Sequence, residues 1–134
     1  MTRFLYAFAL PLLLAAGPAT AQTRSGRLVP DANYEARGDR PNWQLAIGSR
    51  IALRLGADAD GFVVMQYFAR ATSRTRDGIR RWESRTPGGA VIVIEARREP
   101  CTLGDTRYRD SVTVATAERR LSGCGGPRLP DSAG

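Results

Sequence analysis

Residues 70–97, RATSRTRDGIRRWESRTPGGAVIVIEAR, decide the fold of this chain. Two turn sequences, Asp77-Gly78 and Pro87-Gly88-Gly89, divide the stretch into pieces of strand length. Asp-Gly is a preferred pair at the centre of a type I′ turn, because both central positions need a positive φ. The consecutive apolar residues 91–94, VIVI, predict a central strand that is covered on both faces. The stretch therefore predicts antiparallel strands joined by tight turns.

The same pattern of short strands and turns extends in both directions from this stretch. Gly48-Ser49 and residues 58–61, DADG, are further turn sequences, and no segment has a convincing helical period. The candidate strands are residues 34–37, 43–47, 50–55, 62–72, 79–85, 90–97, 110–116 and 120–124. We expect an all-β fold, a small antiparallel meander that closes into a barrel or half-barrel.

The Asp77-Gly78 turn also predicts which side chains share a face. It would pair Arg76 with Ile79, Arg74 with Arg81, Thr72 with Glu83, and Arg70 with Arg85. One face then carries Glu83 and five arginines, which are Arg70, Arg74, Arg76, Arg81 and Arg85; the other carries Ala71, Ser73 and Trp82, with Arg80 beside the turn. Facing guanidinium groups repel unless solvent, acids or a bound anion screens them. The face is either an anion-binding site or a solvated hairpin in a chain whose 20 basic residues are all arginine.

The first 21 residues have the order of an export signal. Arg3 supplies the positive charge, residues 4–16 are an apolar run interrupted by Pro11, and Ala19-Thr20-Ala21 predicts cleavage before Gln22. Because position 22 is not cysteine, we expect no lipid anchor and a periplasmic or secreted product. We divide the chain into a signal peptide (1–21), a flexible N-terminal arm (22–31), a single β domain (32–125) and a flexible tail (126–134).

The two cysteines, Cys101 and Cys124, both lie in the exported part of the chain. An oxidising compartment favours a disulfide between them. It would close a loop of roughly 24 residues and contribute roughly 3 to 3.5 kcal/mol in the chain-entropy model. A redox pair or a metal site is the alternative, but the chain has no histidine and no CxxC spacing.

Charge and composition restrict the classes of function. The net charge of +7 favours acidic partners, and export argues against nucleic acid as that partner. Without histidine or lysine, the Ser-His, Cys-His and Ser-Lys couples are excluded. Paired carboxylates remain conceivable among Glu35, Asp39, Glu95, Glu99 and Asp105. Residues 58–61 begin like a calcium loop, but Ala69 stands where a bidentate glutamate is needed, so we predict a turn. We expect a protein that is not an enzyme and uses no metal or cofactor.

Two segments resemble one family of uncharacterised bacterial periplasmic proteins and lipoproteins. Residues 34–43, YEARGDRPNW, with Leu45 and Ile47, resemble its A-x-G-N/T-E-P-F-W-x-L-x-I opening. Residues 101–105 with Tyr108, and then 121–125, LSGCG, resemble its closing C-x-D-G-M-S-D-x-x-Y … L-x-G-C element. Arg40 and Asn42 replace the family's Glu and Phe, and the closing element is shorter and lacks the first Asp and the Met-Ser pair.

The resemblance implies structural roles more than chemical ones. Members of this family often occur beside, or fused to, HslJ-like META domains, and the chain is similar in size to the small barrels of C-type lysozyme inhibitors. The matching positions are Gly38, Pro41 and Trp43 for a turn with an aromatic anchor, and Tyr108, Gly123 and the two cysteines in the closing element. Trp43 either packs inside the barrel or offers a platform on which a ligand stacks.

These observations favour a non-enzymatic binding protein of the bacterial envelope. The expected partner is an anionic envelope polymer or an acidic protein, bound through the arginine face. The alternatives are an inhibitor-like protein acting on a lysozyme or another secreted hydrolase, and a hydrolase that works through two carboxylates. The oligomeric state does not follow from the sequence.

Overall fold

The computed structural model describes residues 27–56 and 63–131, and these residues form one antiparallel sheet of ten strands. The strands are β1 (Tyr34–Asp39), β2 (Asn42–Ile47), β3 (Ile51–Leu55), β4 (Val64–Phe68), β5 (Arg74–Arg76), β6 (Ile79–Arg85), β7 (Val91–Arg97), β8 (Cys101–Leu103), β9 (Thr106–Thr116) and β10 (Arg120–Arg128). The predicted all-β class is confirmed. Among these described residues, no helix is long and apolar enough to cross a membrane.

The sheet curls into a half-barrel. The strand order is β4-β3-β2-β1-β10-β9-β7-β6-β5, and β8 pairs with β9 to one side of this path. Nearly all neighbours follow each other along the chain, as a meander requires, but β1 also pairs with β10. The two ends of the sheet approach each other where the Ala69 amide donates to the Arg85 carbonyl at 3.0 Å. The predicted half-barrel meander is therefore confirmed.

The hairpin at Asp77-Gly78 has the predicted turn and only part of the predicted ladder. Asp77 and Gly78 have φ values of 54° and 76°, as a type I′ turn needs, and Arg76 pairs with Ile79 and Arg74 with Arg81. The predicted pairs of Thr72 with Glu83 and of Arg70 with Arg85 are wrong. Residues 69–73 connect β4, which pairs with β3, to the β5–β6 hairpin. They therefore cannot continue the hairpin ladder.

Other predicted boundaries also change. Within the predicted strand 62–72, the structure shows only the shorter strand β4. Strand β8, with its turn at Gly104-Asp105, was not predicted. The pair β9–β10 is longer than predicted, because β10 continues to Arg128, past the predicted start of a tail at 126. Strand β7 is central, but its outer face is not covered by a second layer: Ile92 and Ile94 are buried, whereas Val91 and Val93 are half-buried.

The last residues of the predicted N-terminal arm pack against the sheet. Val29 is fully buried and forms a small cluster with Ala46 and Ala52 on the outer face of β2 and β3. Asp31 then accepts hydrogen bonds from the backbone amide and the hydroxyl of Ser49, in the β2–β3 turn. Residues 27–31 are therefore part of the fold. The signal peptide, residues 22–26 and the turn at 58–61 lie outside the described residues.

The main core lies inside the half-barrel, where Trp43 and Trp82 are among its largest fully buried side chains. Gly38 and Gly123 make room for Trp43, because a Cβ on Gly123 would come within 2.7 Å of the indole ring. The Trp43 indole N–H donates to the Ser122 carbonyl at 3.2 Å. Trp43 is 1% exposed, so it anchors the core and has no face open for a stacked ligand.

The rest of the predicted structural motif lies around the two ends of the chain. Pro41 follows a cis peptide bond in the β1–β2 turn, and Tyr108 is buried beside Cys101 in the β8–β9 hairpin. The disulfide between Cys101 and Cys124 is confirmed, with Cα atoms 5.4 Å apart, and it links this hairpin to β10. A disulfide of this kind indicates an oxidising, extracytoplasmic compartment.

Candidate functional site

The alternation of β6 places the arginine side chains on the outside of the half-barrel. Trp82 and Ser84 face the interior and are buried, so their neighbours Arg81, Glu83 and Arg85 must face outward. Burial of the large Trp82 side chain fixes this orientation, because a shift of one residue would move it into solvent. The arrangement of the arginines is therefore a consequence of core packing.

Strand β5 brings two more arginines to the same face. Arg74 lies directly opposite Arg81 in the ladder, and Arg76 lies opposite Ile79. All five predicted arginines are exposed. The predicted grouping on one face is thus present for the residues of β5 and β6, although Arg70 reaches it from the β4–β5 connection rather than from a paired strand.

Four of the five arginines line a groove of about 670 Å³ at the opening of the half-barrel. Its residues belong to the β4–β5 connection, β5 and β6, and the cationic ones are Arg70, Arg74, Arg81 and Arg85. Glu83 is the one acid among the lining residues. The Ser84 hydroxyl donates to the Ala69 carbonyl and holds the connection against β6 at the back of the groove. Arg76 is not part of the groove; it lies at the turn, 3.8 Å from Asp77.

Ion pairs satisfy only part of the positive charge in the groove. Arg81 lies 3.2 Å from Glu95 and 3.8 Å from Glu83, and both contacts are solvent-exposed. Within the part of the chain that the structure describes, Arg70, Arg74 and Arg85 make no ion pair. The groove therefore carries excess positive charge that mobile ions or a bound anion can screen.

Arg80 faces the interior, and sequence reasoning assigned it no role. Its Nε donates to the Ser73 hydroxyl at 2.9 Å, and its guanidinium carbon lies 4.5 Å from the centre of the Trp82 ring. Both contacts fit the alternation of β6, which puts residues 80 and 82 on the same side. The sequence did carry a signal for this orientation. Arg80 lies two positions before Trp82, so strand alternation places both side chains on the same face.

A buried polar cluster lies elsewhere in the half-barrel. The Asp110 carboxylate is 4% exposed and accepts hydrogen bonds from the Tyr34 hydroxyl at 2.8 Å and from Arg109 at 2.9 Å and 3.0 Å. Burial raises the pKa of the Tyr34 hydroxyl, and its bond to Asp110 adds to that. Burial opposes ionisation of Asp110, but the bonds from Arg109 and Tyr34 outweigh it and lower its pKa. All polar atoms of the cluster are satisfied, so it stabilises the fold.

The structure brings together three of the five carboxylates proposed for catalysis. Glu35 and Asp105 lie apart on the surface, and Asp39, Glu95 and Glu99 line an outer cavity of about 540 Å³ beside the disulfide. In residues 27–56 and 63–131, no three acidic or cysteine side chains form a group that could hold a metal ion. The arginine groove is consequently the best-defined candidate site.

Comparisons with protein-family models, curated proteins and solved structures find no match to this chain. The resemblance of the opening and closing segments to a periplasmic family stays a prediction. The function has to be argued from the geometry of the site.

Proposed function

We propose that this protein is an exported, non-enzymatic binding module of the bacterial envelope that holds an anionic partner in its arginine groove. The partner is a carboxylated envelope polymer or an acidic stretch of a protein. The observation that carries the proposal is the set of four arginines around one groove, three of them without an ion pair among the described residues. The disulfide supports an extracytoplasmic location, and the predicted signal peptide narrows that location to the periplasm or the medium.

The shape of the groove supports an extended ligand. The cationic side chains come from two neighbouring strands and the connection beside them, and all four are exposed, so they are spread over an open surface rather than gathered in a closed pocket. Guanidinium groups bind carboxylates through paired N–H donors, and several such contacts along one chain add up. Because the arginines are exposed, each contact is weak and screened by salt, and binding should depend steeply on ionic strength.

Arg74 is the best residue for a test, because Arg81 is already paired with Glu95. Arg74→Ser removes one unpaired cation from the groove. Arg76→Ser, on the same strand and equally exposed, removes one cation outside the groove and is the matched control. We expect Arg74→Ser to weaken binding of polygalacturonate about two- to fivefold at low salt, the effect of one exposed charge-assisted contact. The loss of affinity for polygalacturonate in Arg76→Ser should be less than half of the loss in Arg74→Ser.

The measurement is isothermal titration calorimetry of the mature protein at several salt concentrations, with neutral dextran as a control polymer. Thermal unfolding of Arg74→Ser should occur at the parent temperature or slightly above it, because Arg74 faces Arg81. Equal losses in the two variants would show that overall charge, and not the groove, attracts the polymer. Binding that is insensitive to salt would also overturn the proposal.

A further inference from the structure

A second cavity opens at one end of the half-barrel, where Ile47 and Trp82 of the interior core border it. Its volume is about 320 Å³, near the lower end of the range for small-molecule sites. The β2–β3 turn, the β4–β5 connection and β6 surround it, and Trp82 forms part of its wall. The polar side chains that line it are Asp31, Asn33, Ser49, Arg70, Thr72, Ser73 and Arg80.

Arg80 is held in a defined orientation in this cavity. Its Nε donates to Ser73, and its guanidinium carbon lies 4.5 Å from the centre of the Trp82 ring and 5.8 Å from the centre of the Tyr34 ring. The side chain is half-buried. A guanidinium fixed in this way loses little conformational entropy when it binds a ligand.

The charge of Arg80 has no acidic partner among the described residues. Asp31 lines the same cavity, but its carboxylate is occupied by Ser49, whose amide lies 3.0 Å and 3.1 Å from the two oxygens and whose hydroxyl lies 3.0 Å from one. These bonds lower the pKa of Asp31 and keep it ionised. A half-buried guanidinium without an anion is costly, and an anion that enters the cavity would offset that cost.

We propose that this cavity binds a small hydroxylated monocarboxylate, such as a single acidic sugar, through the free edge of the Arg80 guanidinium. The planar guanidinium matches a carboxylate in a bidentate pair. Asn33, Thr72 and Ser49 offer hydrogen-bonding groups for hydroxyls on the rest of the ligand. With Arg70, Arg80 and Asp31 in its lining, the cavity carries a net charge of +1, so a monoanion fits it better than a dianion such as phosphate.

The site is distinct from the arginine groove. The two cavities share Arg70, Ala71 and Thr72, but Arg80 lines only the end cavity and Arg81 lines only the groove. These two arginines are adjacent in sequence and lie on opposite faces of β6. Arg76 lines neither cavity, so its substitution is the control for the loss of one positive charge.

The test is titration of the parent, Arg80→Met and Arg76→Met with glucuronate, followed by calorimetry and by the NMR shift of the Trp82 indole N–H. Methionine keeps much of the apolar stem that packs on Trp82 while removing the charge. We expect saturable binding to the parent, a loss of tenfold or more in Arg80→Met, equivalent to about 1.4 kcal/mol, and less than a twofold change in Arg76→Met. Glucose should not bind, and inorganic phosphate should bind more weakly than glucuronate.

Arg80→Lys is the control for a loss of binding that is caused by unfolding. It keeps the positive charge without the fork, so it should remain folded by circular dichroism and still bind glucuronate several-fold more weakly than the parent. Absence of saturable glucuronate binding to the parent would overturn the proposal, and so would equal affinity in Arg80→Met. Either result leaves polymer binding in the groove unaffected, because that is measured with Arg74→Ser.

Discussion

Replacement of Gly123 by alanine should weaken the pairing of β1 with β10 in the middle of the sheet. Gly123 lies in β10, next to the two residue pairs that join β10 to β1, Ala36 with Gly125 and Arg37 with Cys124. A Cβ at this position would overlap the Arg37 carbonyl oxygen and would lie 2.7 Å from Trp43 Cζ2. The obstructing atoms are backbone and a buried indole, neither of which can swing away.

The size of the effect follows from what must move. To reach ordinary van der Waals separation, β1 and β10 have to separate, or Trp43 has to leave its site and its bond to Ser122. Overpacking of this kind costs about 3 kcal/mol, at the upper end of the usual range for one added methyl group. For a domain of this size that corresponds to a fall in Tm of roughly 15 °C.

The assay is urea unfolding of the oxidised protein followed by tryptophan fluorescence, since both tryptophans are buried. Gly88→Ala is the matched control, because the nearest atom to a Cβ there is Thr86 Oγ1 at 3.8 Å. We expect Gly88→Ala to change the free energy of unfolding by no more than about 0.5 kcal/mol. A Gly123→Ala variant as stable as Gly88→Ala would refute the close approach of β1, β10 and Trp43.

Two further predictions concern the disulfide and the buried acid. The double variant Cys101→Ser/Cys124→Ser should have a free energy of unfolding in urea that is about 3 kcal/mol lower, because no disulfide then links two residues 23 positions apart in the unfolded chain. Dithiothreitol should lower the parent to the same stability and leave the variant unchanged. The lowered pKa of Asp110 stabilises the fold above the unfolded value near pH 4, and this contribution is lost as the pH falls through the lower folded value. Between about pH 6 and about pH 2.5 the parent should therefore lose more stability than Asp110→Asn, which starts less stable at neutral pH; parallel pH profiles would contradict this.

The turn chemistry of the sequence was sufficient to predict the β5–β6 hairpin, which lies at one edge of the sheet. Asp77-Gly78 predicted the I′ turn and the pairing of Arg74 with Arg81, because a two-residue turn sets the register of the residues beside it. The same rule failed two residues beyond Arg74, at Thr72. There the chain also has to connect to β4, which pairs with β3. This long-range pairing overrides the register that the local turn would set.

The candidate site was predictable to the same extent. The outward arginines of β5 and β6 followed from alternation, but the groove depends on how residues 69–73 cross between two strands, and no local pattern encodes that crossing. Likewise, the bond from Tyr34 to Asp110 spans 76 residues of sequence, so the most buried acid was not among the predicted carboxylates. The end cavity was missed because its walls come from segments that are distant in sequence.

The pairing of β1 with β10 has a consequence for the order of events in folding. Trp43 on β2 bonds to the Ser122 carbonyl 79 residues later, so the core around it cannot form until the last strand is available. Contacts of such large sequence separation slow folding, and a chain that lacks β10 leaves β1 as a bare edge and Trp43 exposed. A chain whose synthesis has not yet reached β10 would therefore lack this core, and the domain would acquire its structure only after its final strand is available.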